Sequence, residues 1–124
     1  MPKEMFKVGC FLPNELEIII PVEKIRDYSL NMNRPDGAPK AYLIANLLGY
    51  RKADYQTFIF FIESQVKAHP IKEVREDKWG IKLRIDIPFE SKLGKGAQEV
   101  LTAWIIRSDN QSQAQLTSAY VKGV

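Results

Sequence analysis

Apolar and polar residues alternate between Trp79 and Phe89, which is the period of a half-buried β-strand. The apolar positions of this stretch are Ile81, Leu83, Ile85 and Ile87. The polar positions between them are Lys82, Arg84 and Asp86. The alternation predicts a strand with one face against the core and one face open to solvent, and Val74–Asp77 is a candidate partner strand before it.

Two further strands are predicted near the end of the chain. Leu101–Ile106 and Leu116–Val121 are apolar-and-threonine runs that flank the polar segment Ser108–Gln115. This arrangement is typical of a β-hairpin whose loop is longer than the tightest turns. The hairpin carries hydroxyl and aromatic residues that a core alone does not require, namely Thr102, Trp104, Thr117 and Tyr120.

The N-terminal half follows a helical period instead. Apolar residues at helical spacing predict helices over Pro21–Ser29, Lys40–Leu48 and Tyr55–Ala68. The polar segment Asn31–Pro39 separates the first two helices as a loop. Gly49 stands where a C-terminal cap of the second helix belongs.

Helices followed by antiparallel strands define an α+β fold. We expect one domain over residues 1–124, with N-terminal helices packed on a three- to four-stranded antiparallel sheet. The helices must cover the apolar face of the sheet, so that the face with Lys82 and Arg84 stays open. A small hairpin formed by Met5–Leu12 and Leu16–Ile20 is predicted before the first helix, because turn-forming residues separate these two runs.

Composition and charge restrict the class of protein. The chain has 124 residues, 45% of them hydrophobic, and a formal net charge of +3 at pH 7. A mildly basic balance permits nucleic-acid binding without requiring it. Cys10 is the only cysteine, so that no disulfide can form within the chain. Because the sequence has no signal-peptide pattern and no apolar run of membrane length, we expect a cytoplasmic protein without a membrane partner.

The sequence lacks most of the residues that common kinds of functional site require. The chain has one His, whereas a zinc site needs several His or Cys ligands, and no cofactor is expected. The carboxylates Asp77, Asp86 and Glu90 flank one strand and leave a magnesium-type site as an alternative. His69 lies at a predicted helix end, where capping and the helix dipole explain it more simply than catalysis does.

One face of the sheet is expected to combine cationic, hydroxyl and aromatic residues. Lys82 and Arg84 protrude from one strand, and Thr102, Trp104 and Tyr120 are expected to share their face. Cationic side chains stabilise phosphate charge, and an aromatic ring stacks on a nucleic-acid base. Thr, Trp and Tyr are also favoured in strands for packing alone, so that both interpretations stay open.

Several phrases of the sequence together resemble one uncharacterised bacterial domain family. In chain order they are IIIPVEKIRDYSLN (Ile18–Asn31), PKAYLIANLLGY (Pro39–Tyr50), KWGIKLRIDIPF (Lys78–Phe89), LTAWII (Leu101–Ile106) and LTSAY (Leu116–Tyr120). Members of that family occur alone or at the C-terminal ends of large bacterial toxins. Their layout is similar to that of the barnase–EndoU–colicin–RelE group of ribonucleases.

The resemblance implies a toxin-type, metal-independent endoribonuclease that uses the 2′-hydroxyl of RNA as nucleophile. It implies an antitoxin or immunity-like protein as a further partner. The residues that match recurrent family positions are Lys24, Lys40, Gly80, Thr102, Trp104, Thr117 and Tyr120. In this interpretation the catalytic residues are Lys40, Thr117 and Tyr120. The substrate-binding residues are Lys82, Arg84, Thr102 and Trp104.

The chain departs from the family pattern at the residues that matter for catalysis. His69 matches no family motif, and Val121 stands where toxin relatives commonly carry proline. The alternative is a non-catalytic module of the same fold that binds RNA or a protein through the same face or a sheet edge. Salt-dependent RNA binding without cleavage would favour the RNA-binding form of that module.

Overall fold

Helices and strands form two layers in residues 5–36 and 38–122, the part of the chain that this computed structural model describes. The strands are β1 (Glu17–Ile19), β2 (Ile71–Asp77), β3 (Gly80–Glu90), β4 (Ala97–Arg107) and β5 (Asn110–Val121). The helices are α1 (Val22–Lys24), which continues as a π-helical turn (Ile25–Ser29), α2 (Ala38–Leu48) and α3 (Tyr55–Gln65). Single 3₁₀ turns, Lys52–Asp54 and Val66–Ala68, flank α3. The predicted α+β class is therefore confirmed.

The sheet is larger than predicted and it is mixed. Its strand order is β1-β5-β4-β3-β2, and β2 to β5 form an antiparallel meander. The fifth strand, β1, pairs in parallel with residues 113–115 of β5. The predicted N-terminal hairpin is wrong, because Glu17–Ile19, within the predicted run Leu16–Ile20, pairs with this distant strand, and Met5–Leu12 forms no strand. Ile18 stands opposite Ala114 and packs against the hydrophobic core, which explains the pairing.

The hairpin at the end of the chain is tighter than predicted. Its strands are joined by a turn at Ser108 and Asp109, with Arg107 opposite Asn110. The expected polar loop over Ser108–Gln115 is wrong, because most of that segment is strand. Its first residues are exposed, so their polarity reflects contact with solvent and does not mark a turn.

The long helices lie close to their predicted positions. α2 starts at Ala38, ahead of the expected Lys40, and Gly49 follows it with a positive φ of 80° as the predicted cap. α3 and its following 3₁₀ turn together cover the predicted Tyr55–Ala68. No helix in the described ranges is both long and apolar enough to cross a membrane.

The hydrophobic core lies between the helices and one face of the sheet. The largest fully buried side chains are Trp104, Phe58, Phe89, Leu16, Ile25, Leu30, Ile44, Leu48, Ile62, Ile71, Ile85 and Ile87. Leu83, Ile85 and Ile87 of β3 point into this core, while the charged residues between them are only half-buried. The predicted alternation of β3 is confirmed, and the sheet keeps one face free of helices.

Candidate functional site

The open face of the sheet is built from rows of residues that lie directly opposite one another. One row runs through Arg84, Ala103 and Ser118. The next runs through Asp86, Leu101 and Tyr120. Directly opposed residues of antiparallel strands share a face. Because Ala103 has the smallest side chain in the middle of these rows, the face is hollow above it.

Thr102 and Trp104 do not lie on this face, and the expectation that they do is wrong. Thr102 pairs with Ile85 and Trp104 pairs with Leu83, so both point into the core. Their relative exposures are 0% and 1%. The indole Nε1 of Trp104 donates to Thr102 Oγ1 at 2.7 Å, and that hydroxyl donates to the Ile85 carbonyl at 2.6 Å. Both side chains are buried, and Trp104 packs beneath the open face.

A β-bulge presents Thr117 to solvent. The register of β4 against β5 passes from Ala103–Ser118 to Trp104–Leu116 and leaves Thr117 without an opposite residue. Its hydroxyl donates to the Ala103 carbonyl at 3.1 Å. The bulge allows both Leu116 and Ala119 to be buried, which strict alternation forbids. The apolar pair at this odd spacing was a sequence signal for the bulge.

A cavity of about 260 Å³ lies where the first helices meet the part of β5 that follows its short pairing with β1. We call it the basic cleft; it is lined by Lys24, Tyr28, Ser29, Arg34, Asp36, Lys40, Thr117, Ser118, Ala119 and Tyr120. Ser29 ties its two sides together, because its Oγ donates to the Ala119 carbonyl at 2.7 Å. The predicted catalytic residues Lys40, Thr117 and Tyr120 are therefore brought together.

Aromatic rings hold the cations of the basic cleft in place. Lys40 Nζ lies 4.3 Å from the centroid of the Tyr120 ring. The Arg34 guanidinium lies 3.7 Å from the centroid of Tyr28, and Lys24 Nζ lies 5.5 Å from the same ring. Such contacts attract a cation while leaving its N–H groups free for other partners.

The basic cleft has an excess of positive charge. Three cationic side chains line it against one carboxylate, Asp36, which pairs with Arg34 at 2.7 Å. Within the described residues, neither Lys24 nor Lys40 forms an ion pair. Two cations without carboxylate partners in one concavity favour an anionic ligand.

A second cavity of about 380 Å³ occupies the hollow of the open face. We call it the sheet-face cleft; it is lined by Glu73, Arg75, Lys82, Leu83, Arg84, Leu101, Ala103, Trp104, Thr117 and Tyr120. Because Thr117 and Tyr120 line both cavities, the two clefts meet at these residues. Lys82 and Arg84 thus lie on the open face as predicted, next to the predicted catalytic residues.

Two of the three cations of the sheet-face cleft, Arg84 and Lys82, are paired with carboxylates. Arg84 bonds Glu73 at 2.7 Å and Asp86 at 3.1 Å. Lys82 bonds Asp77 at 2.9 Å, and this hydrogen bond, together with one from the Trp79 backbone N–H, lowers the pKa of Asp77 below its usual value. Charge in this cleft is therefore largely balanced, unlike in the basic cleft.

Within the described residues, the groups of the other candidate sites do not lie together. No group of three potential metal ligands among His, Cys, Asp and Glu lies together in residues 5–36 and 38–122. Asp77 and Asp86 instead hold Lys82 and Arg84. His69 lines neither cleft; its Nε2 lies 3.4 Å from the amide oxygen of Gln65 on α3.

Sequence reasoning missed Tyr28 and Arg34, which lie in the π-helical turn and in the loop before α2. Lys24 was singled out only by the family resemblance, without a role. A polar loop containing Arg34 carries no signal that it folds back onto a helix. The spacing of Lys24 and Tyr28, four residues apart on one helical segment, was a signal for their contact, whereas the contact of Arg34 with Tyr28 depends on how the loop folds back.

Comparison with known proteins gives a family but no function. No curated protein and no solved structure matches the chain. Residues 11–123 match the family described as a domain of unknown function, DUF6883. This match covers both clefts and every strand and helix of the described fold, and the chain belongs to the DUF6883 family.

Proposed function

We propose that the protein is a ribonuclease-like domain that holds an RNA phosphodiester in the basic cleft and cleaves it. The observation that carries this proposal is the position of Lys40 over the Tyr120 ring, beside Thr117 and in one cavity with Lys24 and Arg34. Cations that are already in place where phosphate charge develops stabilise the transition state. Toxin-type biology and an antitoxin or immunity-like partner belong to the same proposal and rest on the resemblance alone.

The proposed reaction is an internal transesterification. The ribose 2′-oxygen forms a bond to phosphorus and loses its proton to solvent water. The bond from phosphorus to the 5′-oxygen breaks, and this leaving oxygen takes a proton from the Tyr120 hydroxyl, which regains one from water. Lys40, with Lys24 nearby, stabilises the additional negative charge on the phosphorane.

Tyr120 suits this proton transfer because its hydroxyl is uncommitted. Within the described residues the Tyr120 hydroxyl has no hydrogen-bond partner, and the side chain is half-buried. Thr117 suits a positioning role. Because its proton is directed at the Ala103 carbonyl, its lone pairs remain available to accept a hydrogen bond from a ribose hydroxyl.

The test is cleavage of a labelled single-stranded RNA by purified protein, with and without chelator. We expect cleavage that survives chelator and leaves 2′,3′-cyclic phosphate and 5′-hydroxyl ends. A substrate with 2′-O-methyl groups should stay intact. Tyr120→Phe should slow cleavage by about 100-fold or more.

The matched control is Tyr42→Phe, which makes the same change at an exposed tyrosine of α2 outside both clefts. This variant, purified in the same way, should cleave at the rate of the unmodified protein. Cleavage that needs added metal, or equal rates for both tyrosine variants, would contradict the proposed chemistry.

A second candidate function is RNA binding without cleavage, and one observation favours it. No histidine lines either cleft in the described part of the chain, and the lining carboxylates Asp36 and Glu73 both pair with arginines. A general base for the 2′-hydroxyl is thus not provided by these groups. RNA that stays intact but is retained by the protein in a salt-dependent manner would support this function.

A further inference from the structure

We propose that the sheet-face cleft binds the nucleobase next to the phosphate held in the basic cleft, so that the domain selects among RNA sequences. This inference rests on the proposed function and adds a specificity pocket to it. It differs from the expectation that Lys82 and Arg84 bind phosphate. The argument depends on charge, on shape and on the residues that the two clefts share.

Charge argues against a phosphate in the sheet-face cleft. The cations around it are Arg75, Lys82 and Arg84, and the carboxylates bonded to them or lining the cavity are Glu73, Asp77 and Asp86. Positive and negative side chains are therefore equal in number. By the same count of lining and bonded groups, the basic cleft has three cations and one carboxylate, because in the described part of the chain Lys24 and Lys40 have no carboxylate partner. An anion is bound better in the basic cleft, which leaves the sheet-face cleft for an uncharged group.

The lining of the sheet-face cleft suits a flat, polar-edged ligand. Leu101 and Ala103 supply an apolar floor, and the volume of about 380 Å³ falls within the range of small-ligand sites, roughly 300–1,000 Å³. At the rim, the Arg84 guanidinium is held between Glu73 and Asp86. Hydrogen-bond donors held in position beside carboxylate acceptors are the groups that recognise the edge of an unpaired base.

Because the two clefts share lining residues, we infer that the base in the sheet-face cleft belongs to the same RNA strand as the phosphate in the basic cleft. Thr117 and Tyr120 line both cavities, so that a nucleotide with its phosphate beside Lys40 has its base within reach of the open face. The base must be unpaired to enter, because a Watson–Crick partner would already occupy its edge. The substrate class is therefore single-stranded RNA.

The variant that tests this inference is Ala103→Leu, which fills the hollow without changing any charge. Ala103 is half-buried on the open face, so that a larger side chain is accommodated by the cavity. Ala97→Leu is the matched control, because Ala97 is exposed on the same strand and outside the cleft. Thermal denaturation of both variants checks that they are folded.

Calorimetric titrations would use inorganic phosphate, ribose 5-phosphate and the 3′- and 5′-monophosphates of the four ribonucleosides. We expect at least one nucleotide to bind about tenfold or more tightly than ribose 5-phosphate. In Ala103→Leu this advantage should disappear, whereas Ala97→Leu should keep it. Nucleotides that bind no better than ribose 5-phosphate, or an advantage that persists in Ala103→Leu, would overturn the inference.

The same titrations separate this inference from the proposed function. Phosphate binding that depends on Lys40 without any base preference would overturn only the base pocket and leave the phosphate site in place. Absence of binding by all phosphates and nucleotides, together with intact RNA in the cleavage assay, would overturn the proposed function and the base pocket with it.

Discussion

At the scale of single residues, the same residue types serve opposite purposes on the two faces of β4 and β5. Thr102 and Trp104 form a buried hydrogen-bonded chain to the Ile85 carbonyl, whereas Thr117 and Tyr120 line the clefts. The sequence predicted all four as one functional set. It could not separate them, because the faces depend on strand register and on the bulge at Thr117.

The buried chain predicts a stability defect for Thr102→Val. The substitution preserves shape but removes the hydroxyl that accepts from Trp104 Nε1 and donates to the Ile85 carbonyl, and it leaves a buried indole N–H without its partner. Such a group costs about 1–3 kcal/mol when unsatisfied. We expect the free energy of unfolding to fall by about 2 kcal/mol in urea denaturation.

Thr117→Val is the matched comparison for this experiment. Thr117 is exposed, so that its loss should change the free energy of unfolding by no more than about 0.5 kcal/mol. RNA cleavage should respond in the opposite order, with Thr117→Val more strongly impaired than Thr102→Val. Equal stability of the two valine variants would contradict the structural role of Thr102.

At the scale of secondary-structure elements, long periodic segments were predictable and short ones were not. The helices α2 and α3 and the strand β3 carry enough turns or alternations for their period to be read directly. β1 has three residues, too few to show a period, and its parallel pairing is non-local. The polar start of β5 was mistaken for a loop because its first three residues are exposed on both faces and only Ala114 of the segment is buried.

The turn between β2 and β3 predicts that Gly80→Ala is strongly destabilising. Gly80 has a φ of 146°, and a Cβ there would overlap the backbone carbonyl oxygen of Ile106 on β4. Steric overlap adds to the strain of about 1–3 kcal/mol that a non-glycine residue carries in such a conformation. We expect a loss of more than about 2 kcal/mol in urea denaturation.

Gly94→Ala provides the control for backbone strain alone. Gly94 also has a positive φ, 75°, but no atom lies within 4 Å of a Cβ placed there. Its loss of stability should be about 1 kcal/mol. If both alanine variants lost the same stability, the close approach of Gly80 to β4 would not explain the need for glycine.

The same turn predicts a dependence of stability on pH. The hydrogen bonds from Lys82 and from the Trp79 N–H lower the pKa of Asp77 from 3.8 in the folded protein. A depressed folded-state pKa means that ionised Asp77 stabilises the fold above pH 3.8. This contribution is lost as the pH falls through the folded-state value.

The measurement is the urea midpoint of the unmodified protein and of Asp77→Asn at pH 7 and at pH 3. Asp77→Asn should be less stable at pH 7, and the difference should shrink at pH 3. Glu63→Gln, at an exposed residue of α3 without an ion pair in the described part of the chain, should show neither effect. If the urea midpoints of the unmodified protein and of Asp77→Asn differed by the same amount at pH 7 and at pH 3, the ionisation of Asp77 would not be the source of that difference.

At the scale of the whole molecule, the candidate site depends on how the helical layer meets the edge of β5. Lys24, Arg34 and Lys40 come from three different segments, and Tyr120 follows them far along the chain. The Ser29 hydroxyl bonded to the Ala119 carbonyl joins these parts. The sequence singled out Lys40 and Tyr120 through family resemblance, but only tertiary packing brings Arg34 and Tyr28 to them.

The central claim is that RNA phosphate is held in the basic cleft, and both the cleaving and the non-cleaving functions require it. The most direct test is the salt dependence of single-stranded RNA affinity for the unmodified protein and two variants. Lys40→Gln removes a charge inside the cleft. Lys72→Gln removes the same charge from an exposed position of β2 outside both clefts.

Each phosphate contact contributes about 0.7 to the slope of log affinity against log salt for single strands. We predict that Lys40→Gln weakens binding and reduces this slope by about that amount, while Lys72→Gln leaves the slope unchanged. Equal slopes and equal affinities for the two variants would contradict the assignment of the basic cleft as the phosphate site.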